Sequence, residues 1–223
     1  MHLCIELNKF IMKKIKNIIF DLGGVILNID YHLTSKAFKD LGNVNFDELY
    51  SQAQQNNIFN KFETGKLSGD DFVKYLQEFI PLKTKNEIEK AWNSMLLDLP
   101  LSRIDLLKSL GNDYRIFLLS NTNEIHINYF TNYVNEKFGK NLFQSLFENH
   151  YYSNEIGLRK PNMDAFNYVI TQNKLKASET LFIDDSEQHI KGANKVGLNT
   201  YFLKNGEDIS SLFLDKSLSI PHL

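Results

Sequence analysis

Cysteine is almost absent from this chain of 223 residues, in which Cys4 stands alone. A single cysteine excludes an intramolecular disulfide and a thiolate metal cluster. Long hydrophobic runs are missing too, and no stretch reaches the roughly 18 apolar residues of a transmembrane helix. The N-terminal residues place their lysines after a short apolar stretch, the reverse of the order in a signal peptide. We therefore expect a cytoplasmic protein without a membrane partner.

An excess of charge of either sign is also missing. The chain has 25 Lys and Arg against 27 Asp and Glu, a net charge of −2, which provides no basic surface for nucleic acid. The Gly-x-Gly-x-x-Gly and Gly-x-x-x-x-Gly-Lys-(Ser/Thr) signatures of nucleotide binding are absent from the sequence. Apolar residues at 43% and charged residues at 23% are ordinary values for a globular protein with a substantial core.

The most informative segment present runs from Ile15 to Leu27, where an apolar stretch ends at Asp21 and Gly23-Gly24 follows. Its β-branched and aromatic residues are typical of a strand buried on both faces of a parallel sheet. Ligands of such sheets bind outside the carboxyl ends of the strands, and glycines let the main chain approach an anion. We interpret Asp21 as a nucleophile on a turn, with an Asp-capped turn as the structural alternative.

Two further segments carry groups suited to phosphate. A second apolar strand, predicted over 115–120, ends in Ser120 and Asn121, whose hydroxyl and amide groups can donate to phosphate oxygens. Lys160 precedes a proline, which favours a helix start, here over 162–174. A lysine at that place offers a point charge to an anion.

A third apolar strand, from Leu181, ends in the carboxylate pair Asp184-Asp185. Two adjacent carboxylates repel each other unless a cation or a shared proton lies between them. An oxygen-rich pocket of this kind suits Mg²⁺, which binds one or two carboxylates together with phosphate and water. Each segment taken singly has a structural alternative, as a turn, a surface helix start or a helix cap. Their joint order favours a catalytic site.

Asp21, Ser120, Lys160 and Asp184-Asp185 match in order the four motifs of the haloacid dehalogenase-like hydrolase superfamily, which the chain resembles over nearly its whole length. Phe-Asp-Leu-Gly-Gly-Val, Leu-Ser-Asn-Thr-Asn and Gly-Leu-Arg-Lys-Pro are similar to the branch that includes bacterial α-D-glucose-1-phosphate phosphatases. The fourth motif looks like that of the phosphatase domain of soluble epoxide hydrolases.

This resemblance implies a role for each matching residue. Asp21 would become an aspartyl phosphate during the reaction. Ser120 and Asn121 would bind the transferring phosphoryl group, and Lys160 would offset the negative charge on Asp21 and on the phosphate.

The resemblance also implies Mg²⁺ as the cofactor. The candidate ligands are Asp21, the main-chain carbonyl of Gly23, Asp185 and Asp184. Asp185 is the first choice of the pair, because the family's Gly-Ala dipeptide then falls in register at 192–193. His189 replaces the second Asp of the family's fourth motif.

Gly23 is a departure from the family pattern, since most of its phosphatases have an Asp there that protonates the leaving oxygen and later activates water. General acid-base catalysis contributes about 10²- to 10⁴-fold, so its loss is best tolerated by phosphates with good leaving groups. An anomeric hydroxyl is such a group, which favours sugar 1-phosphates. Asp30 is a candidate substitute proton carrier, with a helix cap as the alternative interpretation.

The fold class implied is α/β, a doubly wound parallel sheet with a Rossmann-like core and an inserted helical cap. We predict the core over 12–30 and 99–215, the cap over 31–98 and an N-terminal extension over 1–11. Within the cap, Ser68 and Thr84 begin predicted helices and a weaker helix runs from Thr34 to Leu41. Ser102 is the predicted cap of the helix before the second strand, and the tail after residue 214 is expected to be loosely ordered.

The sequence thus predicts a Mg²⁺-dependent phosphomonoester hydrolase that acts on a small phosphorylated metabolite, a sugar phosphate, through an aspartyl phosphate. Two alternatives stay open. The same Asp nucleophile serves metal-independent 2-haloacid dehalogenases, although the carboxylate pair counts against that reaction. The missing acid at Gly23 is compatible with a catalytically weak protein that binds a phosphometabolite or a partner.

Overall fold

A computed structural model describes residues 15–42, 45–48, 50, 57–214 and 217–219. Its centre is a parallel sheet in the order β3-β2-β1-β4-β5. The strands are β1 (Asn17–Phe20), β2 (Arg115–Ser120), β3 (Asn149–Tyr152), β4 (Thr180–Asp184) and β5 (Asn199–Phe202). The doubly wound α/β fold predicted from the sequence is therefore confirmed.

The central strand β1 is buried on both faces, as its composition predicts. Ile18 and Phe20 pack into one apolar cluster of the core, whereas Ile19 packs into the cluster on the opposite face of the sheet. Strand β4 pairs with β1 on one side, and β2 pairs with it on the other. Because all three strands run in the same direction, their carboxyl ends lie together at one edge of the sheet.

Helices cover the sheet and form the insertion between β1 and β2. The inserted helices are α1 (Tyr31–Asp40), α2 (Ile58–Glu63), α3 (Gly69–Gln77) and α4 (Lys85–Trp92). The helices of the core are α5 (Leu101–Leu110), α6 (Glu124–Phe138), α7 (Ser153–Ile156), α8 (Met163–Gln172) and α9 (Glu187–Lys195). None of the described helices has the length and hydrophobicity that crossing a membrane requires.

The inserted helices have an apolar core of their own, which includes Phe38, Phe62, Phe72 and Trp92. The chain enters and leaves this region as an antiparallel pair. The N–H of Asn28 donates to the Asp98 carbonyl at 3.0 Å, and that of Leu97 donates to the Asn28 carbonyl at 3.0 Å. This arrangement is compatible with a cap over 31–98, whose boundaries remain a prediction.

Most helix starts agree with the sequence signals. Ser68 caps α3, and Thr84 and Glu87 form a capping box on α4. Helix α1 begins at Tyr31, three residues before the predicted start, because the Asp30 carboxylate accepts from the N–H of His32 and caps it.

Three local predictions need correction. Ser102 does not cap α5, since Pro100 takes the cap position and no side chain bonds there. Helix α8 is shorter than predicted, because Asn162 is its cap and the helix ends at Gln172. In the tail, β6 (Phe213–Leu214) pairs with β7 (Ser217–Leu218). Residues 215, 216 and 220–223 and the predicted extension over 1–11 lie outside the described residues.

Candidate active site

Asp21 follows β1 at the carboxyl edge of the sheet and is almost fully buried. The N–H of Leu22 donates to Asp21 Oδ1 at 2.7 Å, and Lys160 Nζ lies 2.8 Å from the same oxygen. Both contacts fall on Oδ1, so among the described residues Oδ2 is the oxygen left available for attack. Burial raises the pKa of Asp21, as do Asp184 and Asp185, while Lys160 opposes them.

Lys160 lies between two carboxylates and has no exposed surface. Its Nζ is 2.6 Å from Asp184 Oδ2 and 2.8 Å from Asp21 Oδ1. Burial disfavours the ammonium form, but Asp184 and Asp21 outweigh burial and hold the pKa of Lys160 above its ordinary value. Lys160 is therefore a permanent positive charge beside Asp21.

Asn121 positions Lys160 through the main chain. The N–H of Lys160 donates to Asn121 Oδ1 at 2.9 Å, and Asn121 Nδ2 donates to the Lys160 carbonyl at 2.8 Å. The Asn121 side chain is thus engaged by protein atoms, although the sequence predicts that it binds phosphate. Ser120, at the end of β2, is buried, and among the described residues its Oγ makes only a long contact of 3.5 Å with the Asn121 carbonyl.

The two carboxylates of the fourth motif differ in their surroundings. Asp184 is fully buried at the end of β4, where its Oδ1 accepts from the N–H of Ser186 at 2.7 Å. Burial works to raise the pKa of Asp184, but Lys160 and His189 outweigh burial and hold it at about 2. Asp185 reaches the surface, and burial followed by the charge of Asp184 raises its pKa to about 6.

His189 stands beside Asp184, with Nδ1 3.0 Å from both carboxylate oxygens and Nε2 3.4 Å from Asn121 Nδ2. Asp21, Asp184 and His189 bring ligand-type atoms within 4.8 Å of one another. The buried Lys160 ammonium already pairs with both carboxylates of that group. A second cation there would have to displace it, so this trio is a poor metal site.

The two glycines after Asp21 have different reasons to be glycine. Gly24 has a φ of +76°, and a Cβ there would lie 2.0 Å from Asp185 Oδ2. The absence of a side chain at Gly24 therefore makes room for the Asp185 carboxylate. Gly23 does not lie in the left-handed region, and a Cβ at this position would meet Ile29 Cδ1 at 3.3 Å.

A cavity of about 740 Å³ lies between the inserted helices and this edge of the sheet. Tyr31, Trp92 and Glu63 line it from the insertion, and Asn121 lines it from the core. A second cavity of about 500 Å³ shares Glu63 with the first and is also lined by Lys160 and Arg159 of the core. Of these lining side chains, Tyr31, Glu63 and Trp92 belong to none of the four sequence motifs.

A buried histidine, His126, lies at the junction of core and insertion, where no sequence motif indicates it. His126 Nε2 faces the Trp92 carbonyl at 3.2 Å, and Nδ1 faces Asn123 Nδ2 at 3.0 Å. Since a carbonyl only accepts and an amide nitrogen only donates, the ring is neutral with its proton on Nε2. Burial lowers the pKa of His126 to about 4.

The structure brings Asp21, Ser120, Asn121, Lys160 and the Asp184-Asp185 pair together, as the motif order predicts. Asp30 serves as a helix cap, in line with the alternative interpretation. Glu63 carries no sequence signal, whereas Arg159 belongs to the Gly-Leu-Arg-Lys-Pro motif and could have been noticed there.

Comparison with known proteins gives the same family that the sequence motifs resemble. A family model described as haloacid dehalogenase-like hydrolase matches residues 15–197. The chain is 34% identical over 195 residues to a D-ribitol-5-phosphate phosphatase of Bacteroides thetaiotaomicron, covering 87% of this chain and 94% of that protein.

Solved structures agree with this result. An enzyme of the same family from Bacteroides thetaiotaomicron, crystallised with magnesium and inorganic phosphate, has a TM-score of 0.83 at 36% identity, covering 90% of this chain and 100% of that chain. An L-2-haloacid dehalogenase of Xanthobacter autotrophicus has a TM-score of 0.58 at 14% identity, covering 85% and 77% of the two chains, and so shares the fold alone.

Proposed function

Because the chain belongs to the haloacid dehalogenase-like hydrolase family, we propose that it is a Mg²⁺-dependent phosphatase that hydrolyses small phosphomonoesters through an aspartyl phosphate on Asp21. The observation that carries the proposal is the buried Lys160 ammonium, which lies within 2.8 Å of both Asp21 and Asp184. A permanent cation beside a buried carboxylate suits a reaction in which a dianionic phosphate must approach that carboxylate.

Each of the four motif residues described next has a separate role in the proposed reaction. Asp21 Oδ2 attacks phosphorus in line as the bond to the leaving oxygen breaks, and that oxygen takes a proton from solvent because Gly23 supplies none. Water then attacks phosphorus, loses a proton to solvent and releases the Asp21 carboxylate with inorganic phosphate. The Lys160 ammonium, which lies next to Asp21 Oδ1, offsets the negative charge of the Asp21 carboxylate. In this proposal the Ser120 hydroxyl donates to a phosphoryl oxygen, while the Asn121 side chain keeps the Lys160 main chain in place.

The oxygen atoms around Gly24 fit Mg²⁺, because that ion prefers carboxylate, carbonyl and phosphate oxygens. Asp21, the Gly23 carbonyl and Asp185 would hold it, and the space over Gly24 that admits the Asp185 carboxylate is part of this cradle. When bound, Mg²⁺ neutralises phosphoryl oxygens and the carboxylates around them. Asp184 contributes less directly to Mg²⁺ binding, since its carboxylate oxygens already contact Lys160, Ser186 and His189.

For the substrate class, we propose a small polyol or sugar phosphate. The 34% identical relative is named for ribitol 5-phosphate, an ester of a primary alcohol, whereas the missing acid at Gly23 favours the better leaving group of a sugar 1-phosphate. A panel that contains both classes decides between them.

The test is phosphate release from p-nitrophenyl phosphate by the purified protein with Mg²⁺, with excess chelator and after Mg²⁺ is restored. We expect activity only with Mg²⁺, and none in Asp21→Asn, which keeps the shape of the side chain but has a poorly nucleophilic amide oxygen. Full activity in chelator would refute the metal dependence. Halide release from 2-haloacids without metal would favour the dehalogenase, and no turnover of any ester would favour the binding protein.

A further inference from the structure

Glu63, the last residue of α2, reaches from the insertion to the segment that carries Lys160. Its Oε2 lies 2.8 Å from Arg159 Nη2, and both side chains are mostly buried. The contact joins the insertion to the core beside the candidate active site, because Arg159 directly precedes Lys160.

This ion pair leaves hydrogen-bonding capacity unused on both partners. Glu63 Oε2 and Arg159 Nε are each inaccessible to water, and neither has a hydrogen-bond partner among the described residues, since the close contact at Nη2 lacks the alignment of a hydrogen bond. A buried polar atom without a partner costs free energy, so such atoms at a cavity point to a ligand that completes them.

Their chemistry restricts what that ligand is. Nε and Nη2 lie on the same edge of the guanidinium, so the Nε–H is directed alongside the carboxylate that Nη2 touches. The two unmatched atoms are thus one donor and one acceptor in adjacent positions. A hydroxyl group donates once and accepts as well, and therefore satisfies both.

Glu63 lines both cavities, and Arg159 lines the smaller one. Glu63 lines the larger one together with Tyr31 and Asn121, and it lines the smaller one together with Arg159 and Lys160. Lys160 shares the smaller cavity with Glu63 and Arg159, so the leaving group of a phosphate ester bound in that cavity would lie beside this pair.

We propose that Glu63 and Arg159 form a hydroxyl-recognition site that selects phosphate esters with a hydroxylated leaving group. Both side chains are partly exposed, and Glu63 lines both cavities. When the Glu63 side chain turns toward the cavities, a substrate hydroxyl donates to Glu63 Oε2 and accepts from Arg159 Nε. The site rests on the proposed phosphatase function and makes it specific, since an aliphatic phosphate would leave both buried atoms unpaired.

The experiment compares D-ribitol 5-phosphate with n-pentyl phosphate, which has the same chain length and no hydroxyl. We expect the ratio of their kcat/KM values in the native protein to be on the order of 10², because an analogue without the hydroxyl leaves buried polar groups unpaired. In Glu63→Met the ratio should fall to near one. Glu89→Met is the matched control, because Glu89 is another partly buried glutamate of the insertion, paired with Lys85 outside both cavities.

The double variant Glu63→Met/Arg159→Met leaves no unpaired charge and serves if the single variant does not fold. Its ratio should also fall to near one. A native ratio near one, or a ratio unchanged in a folded variant, overturns the proposal. Equal losses on both esters give an unchanged ratio and would assign Glu63 to proton transfer or cap closure. If the native protein hydrolyses neither ester, the same ratio is measured as Kd by calorimetry, which separates failure of the phosphatase from failure of the hydroxyl site.

Discussion

At the scale of single residues, Lys160 combines two functions in one buried ammonium. It offsets charge on the proposed nucleophile Asp21, and it also neutralises Asp184, which has no exposed surface. Removing one partner of a buried ion pair leaves an uncompensated charge, which is far more costly than losing an exposed pair. Catalysis and stability should therefore fail together at this position.

Lys160→Met should lower kcat/KM on p-nitrophenyl phosphate by about 10²- to 10³-fold, the equivalent of losing one preorganised electrostatic donor, about 2.7–4 kcal/mol. It should also destabilise the fold by about 3 kcal/mol or more at pH 7, measured by urea unfolding. Without the lysine, the pKa of Asp21, which burial already raises, rises further, and the pKa of Asp184 rises above its unfolded value. The deficit is therefore largest at neutral pH and shrinks toward pH 5. Lys176→Met, at an exposed lysine, is the control. A kinetic loss under tenfold would remove Lys160 from the mechanism.

Gly23 lacks the carboxylate of the family pattern, and the structure shows that the main chain permits one. Its φ is compatible with any residue, and the nearest obstacle to a Cβ is the flexible end of the Ile29 side chain at 3.3 Å. Gly23→Asp should raise kcat on glycerol phosphate by up to about 10²-fold and change glucose 1-phosphate less, because a good leaving group needs less protonation. Equal native rates on both substrates would mean that another residue already supplies the proton.

At the scale of secondary structure elements, the buried His126 joins the start of α6 to the end of α4. Asn123 caps α6 through the N–H of His126, and the Asn123 side chain also faces the ring. Trp92, the last residue of α4, stacks on the imidazole at 5.3 Å between ring centroids and receives a hydrogen bond from it. The junction of core and insertion therefore depends on a neutral histidine.

His126→Gln tests this dependence through pH. The unfolded chain takes up a proton near pH 6.5, whereas the folded chain does so only near the lowered pKa of about 4. Native stability attributable to His126 therefore declines as pH falls from 6.5 to 4 and levels off below. The difference in unfolding free energy between the native protein and the variant should shrink by up to about 3 kcal/mol between pH 7 and pH 4. Parallel stability curves for the two proteins would show that the ring is not held neutral.

The sequence predicts well what local composition and strand order determine. Strand β2 is predicted over the same residues that the structure gives, because its apolar run ends in Ser120 at a polar turn. Strand β3 escapes prediction, since Asn149 and His150 lie at a sheet edge where the apolar pattern is weak. The Asn121 contacts with Lys160 and the pairing of Glu63 with Arg159 are tertiary, and no spacing rule encodes which distant segments meet.

At the scale of the whole molecule, the insertion touches the core at points on both sides of the site. Glu124 of α6 accepts from the N–H of Gly69 at the start of α3, at 2.7 Å. On the other side, Gly65 packs so closely on Asn154 that a Cβ would lie 2.2 Å from its carbonyl oxygen. Together these contacts hold the insertion over the edge of the sheet where Asp21 lies.

Gly65→Ala should separate the insertion from the core, because a main-chain oxygen cannot give way as a flexible side chain can. We expect kcat/KM on p-nitrophenyl phosphate to fall at least about tenfold, together with a lower melting temperature. Gly42→Ala is the matched control, since Gly42 also has a positive φ but a Cβ there would have no described atom within 4 Å. Both variants carry backbone strain of about 1–3 kcal/mol, so only the loss beyond that of the control reports the contact. Equal losses of kcat/KM in the two variants would mean that the contact with Asn154 does not hold the insertion over the active site.

The antiparallel pairing of residues 28–30 with 95–98 has a consequence for how such proteins diversify. Ile29 lies opposite Leu96, so the two chain connections between the core and the inserted helices run side by side. Because the ends of the insertion are already held together, lengthening or exchanging it adds little to the entropic cost of folding the sheet. Leaving-group preference can therefore evolve through replacement of the insertion, while the strands that carry the reaction chemistry keep their sequence.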